Sequence, residues 1–351
     1  MLLYIHIPYC DSKCNYCSFN SYVGRFETKK LYMQQLYAQL EYELSLFEAK
    51  PNSIETIFIG GGTPSTIEPY MYEEIFAKLQ PYLQPNAEIT TEANPNSATK
   101  EWLDGMKKLG VNRISFGVQS FDEYKLKALA RSHNKHQAIK AIEDAKDVGF
   151  EHISLDIIYN YQGDSKELLA SDINQAFSLP IDHISAYELT IEDGTKFAST
   201  PSVKQDDENL AFFVASQITQ RGFSHYEISN FGSYQSQHNK GYWKLKDYIG
   251  IGAGAVGFRH DTRYYPHTNI DAYIANPTFT TKEHLNSQEL QTERVFLGFR
   301  SVVGVREDIL DSSMKQRANL LVDEHKLYKK DGIYHNTNYF LADEVALFVL
   351  G

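Results

Sequence analysis

The sequence predicts an α/β fold: a partial (β/α)6 barrel followed by a smaller C-terminal α+β module that resembles a winged helix. Three observations predict it. Apolar strand patterns alternate with helical patterns over the first two-thirds of the 351 residues, which favours a parallel sheet covered by helices. Chemically distinctive residues repeatedly follow the ends of those strands. After about Asp193 the alternation gives way to glycine-rich and aromatic segments, and then to helices with a hairpin.

Each of the six predicted strands is an apolar run closed by a proline, a glycine turn or a polar residue. The strands cover Leu2–Ile7, Ile54–Ile59, Ala87–Thr91, Arg113–Val118, Ile153–Ile158 and Ile181–Glu188. The segments between them carry apolar side chains at helical spacing. The predicted helices cover Thr28–Glu48, Tyr70–Tyr82, Lys100–Leu109, Asp122–Leu129, His136–Val148 and Lys166–Phe177.

A distinctive residue lies at or just beyond the C-terminal end of every predicted strand. These residues are Cys10, Gly60, Glu92, Gln119, Asp156 and Glu188. Barrels of βα units build their active sites on that face, so we expect the six residues to share one site.

The last third of the chain is predicted to be looser. Its expected elements are a helix over Asp206–Arg221, an extended stretch over Tyr226–Phe231, helices over Glu289–Ser301 and Ser313–Glu324, and a hairpin over Lys330–Phe340. We therefore predict a barrel over residues 1–235, a connecting segment over 236–284 and a C-terminal module over 285–351. No low-complexity linker separates these parts, so the module is expected to pack on the barrel.

Composition excludes several classes of function. The net charge of −11 argues against an electrostatic grip on nucleic acid. No apolar run approaches 18 residues, so no membrane span is expected. The N-terminal residues lack a cationic region followed by an apolar stretch, so no secretory signal is expected. Reduced cysteines and no export signal predict a cytoplasmic protein.

The only three cysteines, Cys10, Cys14 and Cys17, lie within eight positions of one another. An odd number argues against a closed disulfide framework. A structural zinc site lacks a fourth ligand, although His6 can in principle supply one. A CxxxCxxC triad can instead hold three irons of a [4Fe–4S] cluster and leave the fourth iron open to an outside ligand. Structural zinc and unused thiols remain the alternatives from spacing alone.

With this cysteine motif after the first strand and a glycine turn after the second, the chain resembles the radical S-adenosylmethionine (SAM) proteins. It is most similar to the branch containing the oxygen-independent coproporphyrinogen III oxidases and the HemW heme chaperones. The resemblance rests on Tyr4-Ile-His-Ile-Pro-Tyr-Cys10, Gly60-Gly-Gly-Thr-Pro-Ser65, Glu92-Ala-Asn-Pro95, Arg113-Ile-Ser-Phe-Gly-Val-Gln-Ser-Phe121 and Asp156-Ile-Ile-Tyr159. It implies a radical-SAM barrel in which the open iron binds SAM through its amino and carboxylate groups. One electron then cleaves a sulfur–carbon bond, while the protein supplies binding, orientation and water exclusion.

The resemblance also implies which residues bind SAM. Glycines let the backbone approach the methionyl group. Glu92 can accept from the ammonium, and Arg131 can pair with the carboxylate through its planar fork. Gln119 and Asp156 suit the ribose hydroxyls. The full predicted set is Tyr4, Gly60, Gly61, Gly62, Thr63, Glu92, Gln119, Arg131 and Asp156.

One departure from the family pattern is visible after the fifth strand. The family usually has Gly-Leu-Pro after Asp156-Ile-Ile-Tyr159, whereas this chain has Asn160-Tyr161-Gln162. The turn near the adenosyl end of SAM is therefore expected to differ.

Within the branch, three features favour a heme chaperone over a coproporphyrinogen III oxidase. The decarboxylases carry a fourth cysteine where this chain has Phe19, and they carry an N-terminal extension before the first strand, which begins immediately here. His238-Asn239-Lys-Gly-Tyr242-Trp243 matches the HNxxYW heme motif of the chaperones. An imidazole nitrogen of His238 can ligate heme iron, with Asn239 beside it. Tyr242 and Trp243 can offer flat apolar surface to the macrocycle.

We therefore expect a chaperone that binds heme and hands it to hemoproteins such as respiratory enzymes, and that carries a [4Fe–4S] cluster and SAM. An electron donor is implied, and nucleic acid is not a partner. The alternatives are an oxygen-independent coproporphyrinogen III oxidase and a radical-SAM enzyme with an unrelated substrate. Whether the cluster gates heme transfer, promotes a homodimer or cleaves SAM stays open. Peripheral membrane contact through the recipient is compatible with this hypothesis, but no sequence element requires it.

Overall fold

A computed structural model describes residues 1–351. The strands are β1 (Leu2–Ile7), β2 (Tyr9–Cys10), β3 (Tyr22–Val23), β4 (Ile54–Gly61), β5 (Leu83–Ala93), β6 (Arg113–Gln119), β7 (His152–Tyr159), β8 (His183–Glu188), β9 (Ser224–His225), β10 (Asn230–Gly232), β11 (Tyr248–Ile251), β12 (Gly257–Arg259), β13 (Thr262–Pro266), β14 (Thr280–His284), β15 (Val305–Arg306), β16 (Leu327–Lys330) and β17 (Ile333–Asn336).

The α-helices are α1 (Lys29–Leu46), α2 (Glu73–Leu79), α3 (Lys100–Lys108), α4 (Glu123–Ala128), α5 (Lys135–Val148), α6 (Lys166–Phe177), α7 (Glu208–Thr219), α8 (Gln237–Trp243), α9 (Ile270–Ala275), α10 (Ser287–Phe299), α11 (Ser312–Asp323) and α12 (Ala342–Leu350). Short 3-10 helices cover Phe26–Thr28, Pro64–Thr66, Pro69–Tyr72, Gln80–Tyr82, Lys196–Ser199, Pro201–Val203, Glu307–Ile309 and Tyr339–Leu341. None of the helices combines the length and apolar character that crossing a membrane requires.

One twelve-stranded sheet forms the barrel, in the order β14-β13-β12-β11-β1-β4-β5-β6-β7-β8-β10-β9. The seven strands from β11 to β8 in that order are parallel, and the strands outside them pair antiparallel. The predicted α/β partial barrel is thus confirmed. It extends further than predicted, because β11 pairs with β1 and Leu2 lies opposite Tyr248. The glycine-rich surroundings of β11 hide its strand character in the sequence.

Side chains alternate between two environments along the parallel strands, as the period of two requires. Apolar residues face the helices and belong to a core of 54 buried residues. The side chains that face the barrel interior are mostly polar and buried. They include Thr56, Glu88, Thr90, Arg113, Ser115, Ser154, His183 and Ser185. Each polar group in the barrel interior therefore needs a hydrogen-bond partner or an opposite charge.

The C-terminal module consists of α10 to α12 and the three-stranded sheet β15-β17-β16. It has its own core of 11 buried residues. It joins the barrel edge to edge: Ile228 donates its backbone N–H to Arg300 at 2.9 Å, and Val302 donates to Tyr226 at 2.8 Å. The predicted helices and hairpin are present, and α12 was not predicted. The domain limits at residues 235 and 284 remain a prediction.

Two predicted elements differ locally. The helix expected over Tyr70–Tyr82 is α-helical only over Glu73–Leu79, because Pro69 and Pro81 place a 3-10 turn at each end. Of the extended stretch expected over Tyr226–Phe231, Asn230 and Phe231 lie in β10, whereas residues 226–229 connect β9 to β10.

Candidate functional site

Two ends of the barrel carry the residues that the sequence singles out. We call the C-terminal ends of β1 and β4 to β8, together with residues 10–17, the cysteine face. We call the N-terminal ends of the same strands the floor, which is closed from below by α8. The predicted SAM residues gather at the cysteine face, whereas the predicted heme motif forms α8 at the floor.

The cysteine loop follows β1 and is held at both ends. Tyr9 and Cys10 pair with Tyr22 and Val23 as a short parallel bridge across the loop. In the middle, Asn15 donates its side-chain amide to the Ala128 carbonyl at 2.8 Å. The Cys17 backbone N–H bonds the Cys14 carbonyl at 3.3 Å, which makes a tight turn between these two thiols.

All three cysteines are free thiols, Cys10 buried and the other two half-buried. Thr63 donates a hydrogen bond to the Cys10 sulfur at 3.4 Å, and Arg131 donates one to the Cys14 sulfur at 3.2 Å. Burial raises the pKa of the Cys10 and Cys17 thiols. No group of three His, Cys, Asp or Glu converges as ligands of one metal ion do. A [4Fe–4S] cluster takes one thiolate per iron and needs no such convergence, so three clustered thiols with donors to sulfur fit it.

His6 is not free to act as the fourth zinc ligand that was considered from the sequence. Its Nε2 lies 2.8 Å from the Asn20 carbonyl, and its Nδ1 lies 2.9 Å from the Tyr4 hydroxyl. Because a carbonyl can only accept, Nε2 carries the hydrogen and the Tyr4 hydroxyl donates to Nδ1. His6 thereby fixes Tyr4 and ties β1 to the end of the cysteine loop, a role that the sequence did not reveal.

The glycine turn at the end of β4 is dictated by the close approach of neighbouring strands. A Cβ on Gly61 would lie 2.5 Å from the His6 ring, and the φ of Gly61 is +113°. A Cβ on Gly62 would lie 2.8 Å from the Tyr9 carbonyl oxygen and 3.1 Å from the Cys10 sulfur. A Cβ on Gly60 would lie 3.0 Å from a carboxylate oxygen of Glu92. Packing therefore requires glycine at these positions whether or not a ligand is bound. That the three glycines let the backbone approach a ligand stays a prediction.

Two acids share the interior just below the cysteine face. Glu92 accepts the Gly61 backbone N–H at 3.2 Å, and Asp156 accepts the Ser115 hydroxyl at 3.3 Å. Burial, and then the nearby Asp156, raises the pKa of Glu92 to about 8. Burial likewise raises the pKa of Asp156 to about 6. Two acids held this far from water suit a cationic ligand, which would restore their charge.

Arg131 reaches the same region from the loop after α4. One terminal nitrogen donates to Cys14 and to the Tyr16 hydroxyl at 3.3 Å, and the other donates to the Gly117 carbonyl at 2.6 Å and to the side-chain oxygen of Asn94. Its Nε is buried and has no partner. One terminal nitrogen is thus engaged with the cysteine loop and the other with the ends of β5 and β6, and one N–H is left for a ligand. Asn94 lies within the Glu92-Ala-Asn-Pro95 motif, but its role was not predicted.

Gln119 and Asn160 hold unusual backbone conformations at the ends of β6 and β7, with φ values of +71° and +65°. Asn tolerates the left-handed region that a glycine usually occupies, so Asn160 can stand where the family has glycine. Its side chain donates to Glu188 at 3.0 Å. Tyr161 packs beside a small apolar cluster on the cysteine face, formed by Leu129, Ile158, Leu189 and Phe197.

The heme motif forms the short helix α8. His238 is 1% exposed, and its Nδ1 lies 2.7 Å from the Thr56 hydroxyl. Its ring lies 5.2 Å from the Phe58 ring and 4.8 Å from the Tyr242 ring. Burial, and then the charge of Arg113, lowers the pKa of His238 to about 3, so the imidazole is neutral. Its Nε2 has no hydrogen-bond partner.

Hydrogen bonds to Glu88 of β5 also hold the start of α8. The Glu88 carboxylate accepts the backbone N–H groups of Gln237 and His238 at 2.8 and 2.9 Å, and the hydroxyls of Tyr234 and Ser236 at 2.8 and 3.3 Å. The Asn239 backbone N–H bonds the Ser236 hydroxyl at 3.3 Å. The buried Nε1 of Trp243 has no partner. On its outer side α8 packs against α10 of the C-terminal module.

Comparison with known proteins agrees with this architecture. A family model described as the Radical SAM superfamily matches residues 4–175. The chain is 32% identical over 353 residues to the heme chaperone HemW of Bacillus subtilis (strain 168), covering 95% of this chain and 92% of that protein. It is 42% identical over 265 residues to the heme chaperone HemW of Escherichia coli (strain K12), covering 73% and 69%. The chain belongs to the HemW family of radical SAM proteins.

Among solved structures, the coproporphyrinogen III oxidase HemN from Escherichia coli, a radical SAM enzyme, has a TM-score of 0.82 to this chain. The match covers 99% of this chain and 89% of HemN at 17% identity. At that identity the likeness shows the shared fold alone.

Proposed function

We propose that the protein is a heme chaperone that binds heme and delivers it to hemoproteins such as respiratory enzymes. The observation that carries the proposal is His238, a neutral imidazole whose Nε2 has no partner, at the first position of the HNxxYW motif. In the tautomer whose Nδ1 donates to the Thr56 hydroxyl, Nε2 carries the free lone pair that an axial heme ligand requires. Asn239, Tyr242 and Trp243 complete the proposed heme segment. The similarity to proteins named heme chaperone HemW supports the same function.

We further propose that Cys10, Cys14 and Cys17 hold a [4Fe–4S] cluster and that SAM binds beside it. When bound, the cluster and SAM supply one-electron cleavage of a sulfur–carbon bond. In this proposal Glu92 receives the SAM ammonium, and the free Nε of Arg131 meets the carboxylate. The proposed SAM residues are Tyr4, Gly60, Gly61, Gly62, Thr63, Glu92, Gln119, Arg131 and Asp156.

Two further parts of the proposal concern partners and location. Reduction of the cluster requires an electron donor, and delivery requires a hemoprotein recipient. We place the chain in the cytoplasm, where free thiols persist. Phe19, which is 65% exposed, stands where the decarboxylases carry a fourth cysteine, and it favours the carrier over the oxidase.

Anaerobic reconstitution followed by titration with heme tests the proposal. We expect the wild type to bind heme with a Soret band that is shifted or lost in His238→Ala, because the proposed axial nitrogen is removed. His260→Ala removes an exposed imidazole and is the matched control, expected to bind as the wild type does. Thermal unfolding of each variant separates loss of a ligand from loss of the fold.

The same preparation, supplied with SAM and a reductant, is expected not to convert coproporphyrinogen III. Robust formation of protoporphyrinogen would replace the carrier with the oxidase. Intact SAM cleavage without heme binding would instead indicate a radical-SAM enzyme with an unrelated substrate.

A further inference from the structure

Asn94 follows directly after β5 at the cysteine face. Its Oδ1 accepts a hydrogen bond from Nη2 of Arg131, and its Nδ2 donates one to the Thr63 hydroxyl at 3.3 Å. The orientation of this amide is determined, because a guanidinium can only donate and therefore faces the amide oxygen. The N–H end of the amide consequently points to Thr63.

Both partners of Asn94 donate to cysteine sulfurs. Nη1 of Arg131 donates to the Cys14 sulfur at 3.2 Å, and the Thr63 hydroxyl donates to the Cys10 sulfur at 3.4 Å. Because the Thr63 oxygen already accepts from Asn94, its single hydrogen is available for the sulfur. One amide thus connects a donor to Cys10 with a donor to Cys14. We call Asn94, Thr63 and Arg131 the sulfur-donor chain.

Backbone contacts hold the sulfur-donor chain in place. The Asn94 backbone N–H donates to the Ser65 hydroxyl at 3.1 Å, and its carbonyl accepts the backbone N–H of Ala98 at 3.0 Å. Gly117 of β6 leaves room for the amide and the guanidinium, since a Cβ there would lie 3.1 Å from Nη2 of Arg131 and 3.5 Å from Oδ1 of Asn94. The Gly117 carbonyl also accepts from Arg131 at 2.6 Å. Neighbouring strand ends therefore hold the amide and the guanidinium in one arrangement.

Hydrogen bonds to the sulfurs of an iron–sulfur cluster are one determinant of its reduction potential. Reduction adds negative charge to the cluster, so a donor that points to a sulfur stabilises the reduced form more than the oxidised form. We propose that Asn94 is a positioning residue that holds two hydrogen-bond donors on the cysteine sulfurs and thereby raises the reduction potential of the bound cluster. The inference rests on the proposed [4Fe–4S] cluster and adds to it a residue that acts through Arg131 and Thr63.

Asn96 provides a matched control, because it lies in the same turn and also contacts the cysteine loop. Its Nδ2 donates to Asp11 at 3.4 Å, and its Oδ1 accepts the Ser132 hydroxyl at 3.1 Å. A carboxylate can only accept, and the single hydroxyl hydrogen of Ser132 is used by Asn96, so neither partner passes a hydrogen bond on to a sulfur. A substitution at Asn96 therefore loosens the same turn and leaves the sulfur-donor chain in place.

The midpoint potential of the reconstituted cluster in the full-length protein, measured by a redox titration followed by EPR without SAM, tests the inference. In Asn94→Ala we expect the ratio of reduced to oxidised cluster at a fixed applied potential to fall about tenfold, the size of one charge-assisted hydrogen bond. For a one-electron couple this corresponds to about 59 mV. Asn96→Ala should keep the wild-type potential.

Thr63→Val removes only the donor to Cys10 and should lower the potential by less than Asn94→Ala does. The shift of the double variant should be smaller than the sum of the two single shifts, because Asn94 acts partly through Thr63. The iron and sulfide contents of each variant separate loss of the cluster from a shift of its potential.

The outcomes separate this inference from the proposed function. An unchanged potential in Asn94→Ala with a full complement of iron overturns the inference, and so does an equal shift in Asn96→Ala. If Asn94→Ala takes up no iron, Thr63→Val decides, since a lowered potential there supports the inference and an unchanged potential overturns it. Failure of the wild type to take up a cluster overturns the proposed cluster and the inference together.

Discussion

The two ends of this barrel bring their candidate functional residues together in different ways. At the cysteine face, loops that follow individual strands bring cysteines, glycines and acids together, and each motif is continuous in the sequence. At the floor, the same strands present isolated residues that are joined by a distant helix. Thr56 and His238 are 182 positions apart, and Glu88 and His238 are 150 apart. Sequence motifs identify residues at both ends. Only the fold shows that the residues of the cysteine face lie at the open end of the barrel, whereas those of the floor are buried under α8.

The largest expected loss of stability comes from a substitution in the glycine turn of the cysteine face. Gly61→Ala places a Cβ 2.5 Å from the His6 ring at a φ of +113°, so overlap adds to backbone strain. We expect a loss of about 3 kcal/mol in the free energy of unfolding. Gly222→Ala also has a positive φ but meets nothing within 4 Å, and it should cost only about 1 kcal/mol. Urea unfolding of both variants measures the difference, and equal losses would show that His6 moves aside freely.

A somewhat smaller effect is expected at the floor. Glu88→Gln replaces the carboxylate that accepts four hydrogen bonds at the start of α8, and we expect a loss of about 2 kcal/mol. Because His238 is buried, heme reaches it only when α8 moves, so a weaker hold on α8 should make the association of heme faster. Glu41→Gln, which breaks an exposed pair with Lys78, should change stability by less than about 0.5 kcal/mol. Stopped-flow mixing with heme, together with urea unfolding, tests this, and an unchanged association rate would contradict gating by α8.

A change of one pH unit has the smallest effect, and its sign separates the two ends. The folded-state pKa of Glu92 is raised from 4.5 to about 8, so its stabilising contribution is lost as pH rises through that interval. The folded-state pKa of His238 is lowered from 6.5 to about 3, so its contribution is lost as pH falls through that interval. Each slope should reach roughly 1 kcal/mol per pH unit.

Unfolding of the protein without added iron or SAM, followed across pH, measures both slopes. Glu92→Gln should flatten the loss of stability on the alkaline side, and His238→Gln should flatten it on the acid side. A single variant that flattens both sides would mean that the two ends are coupled through the interior.

Much of the cysteine face could be predicted from the sequence because each of its motifs is local. The ends of Leu2–Ile7 and Lys166–Phe177 coincide with the observed elements, since proline, capping residues and periodicity mark them. Asn160 adopts the left-handed conformation that a glycine usually provides, and a difference of this turn from that of the family stays a prediction. The hydrogen bonds between side chains could not be predicted. His6, for example, bonds Tyr4 within β1 and the Asn20 carbonyl beyond the cysteine loop.

The floor could be predicted only in part. His238 was found by its motif, but its burial depends on pairing between β1 and β11, which no local pattern announces. Arg113 was quoted within a family motif and given no role, because its burial is recognised only when its surroundings are known. The final helix α12 was missed because its 9 residues follow directly on a hairpin.

The separate core of the C-terminal module has a consequence for how the protein opens. Its 11 buried residues form a unit distinct from the 54 of the barrel, and separate cores unfold as separate cooperative units. Because α8 packs against β4 of the barrel and α10 of the module, releasing it breaks its contacts with both units while the strands stay paired. Amide hydrogens of α8 and α10 should therefore exchange with solvent together, well before those of β4 to β7. The heme motif therefore lies at the boundary between two cores, where α8 can separate from the floor without unfolding either core.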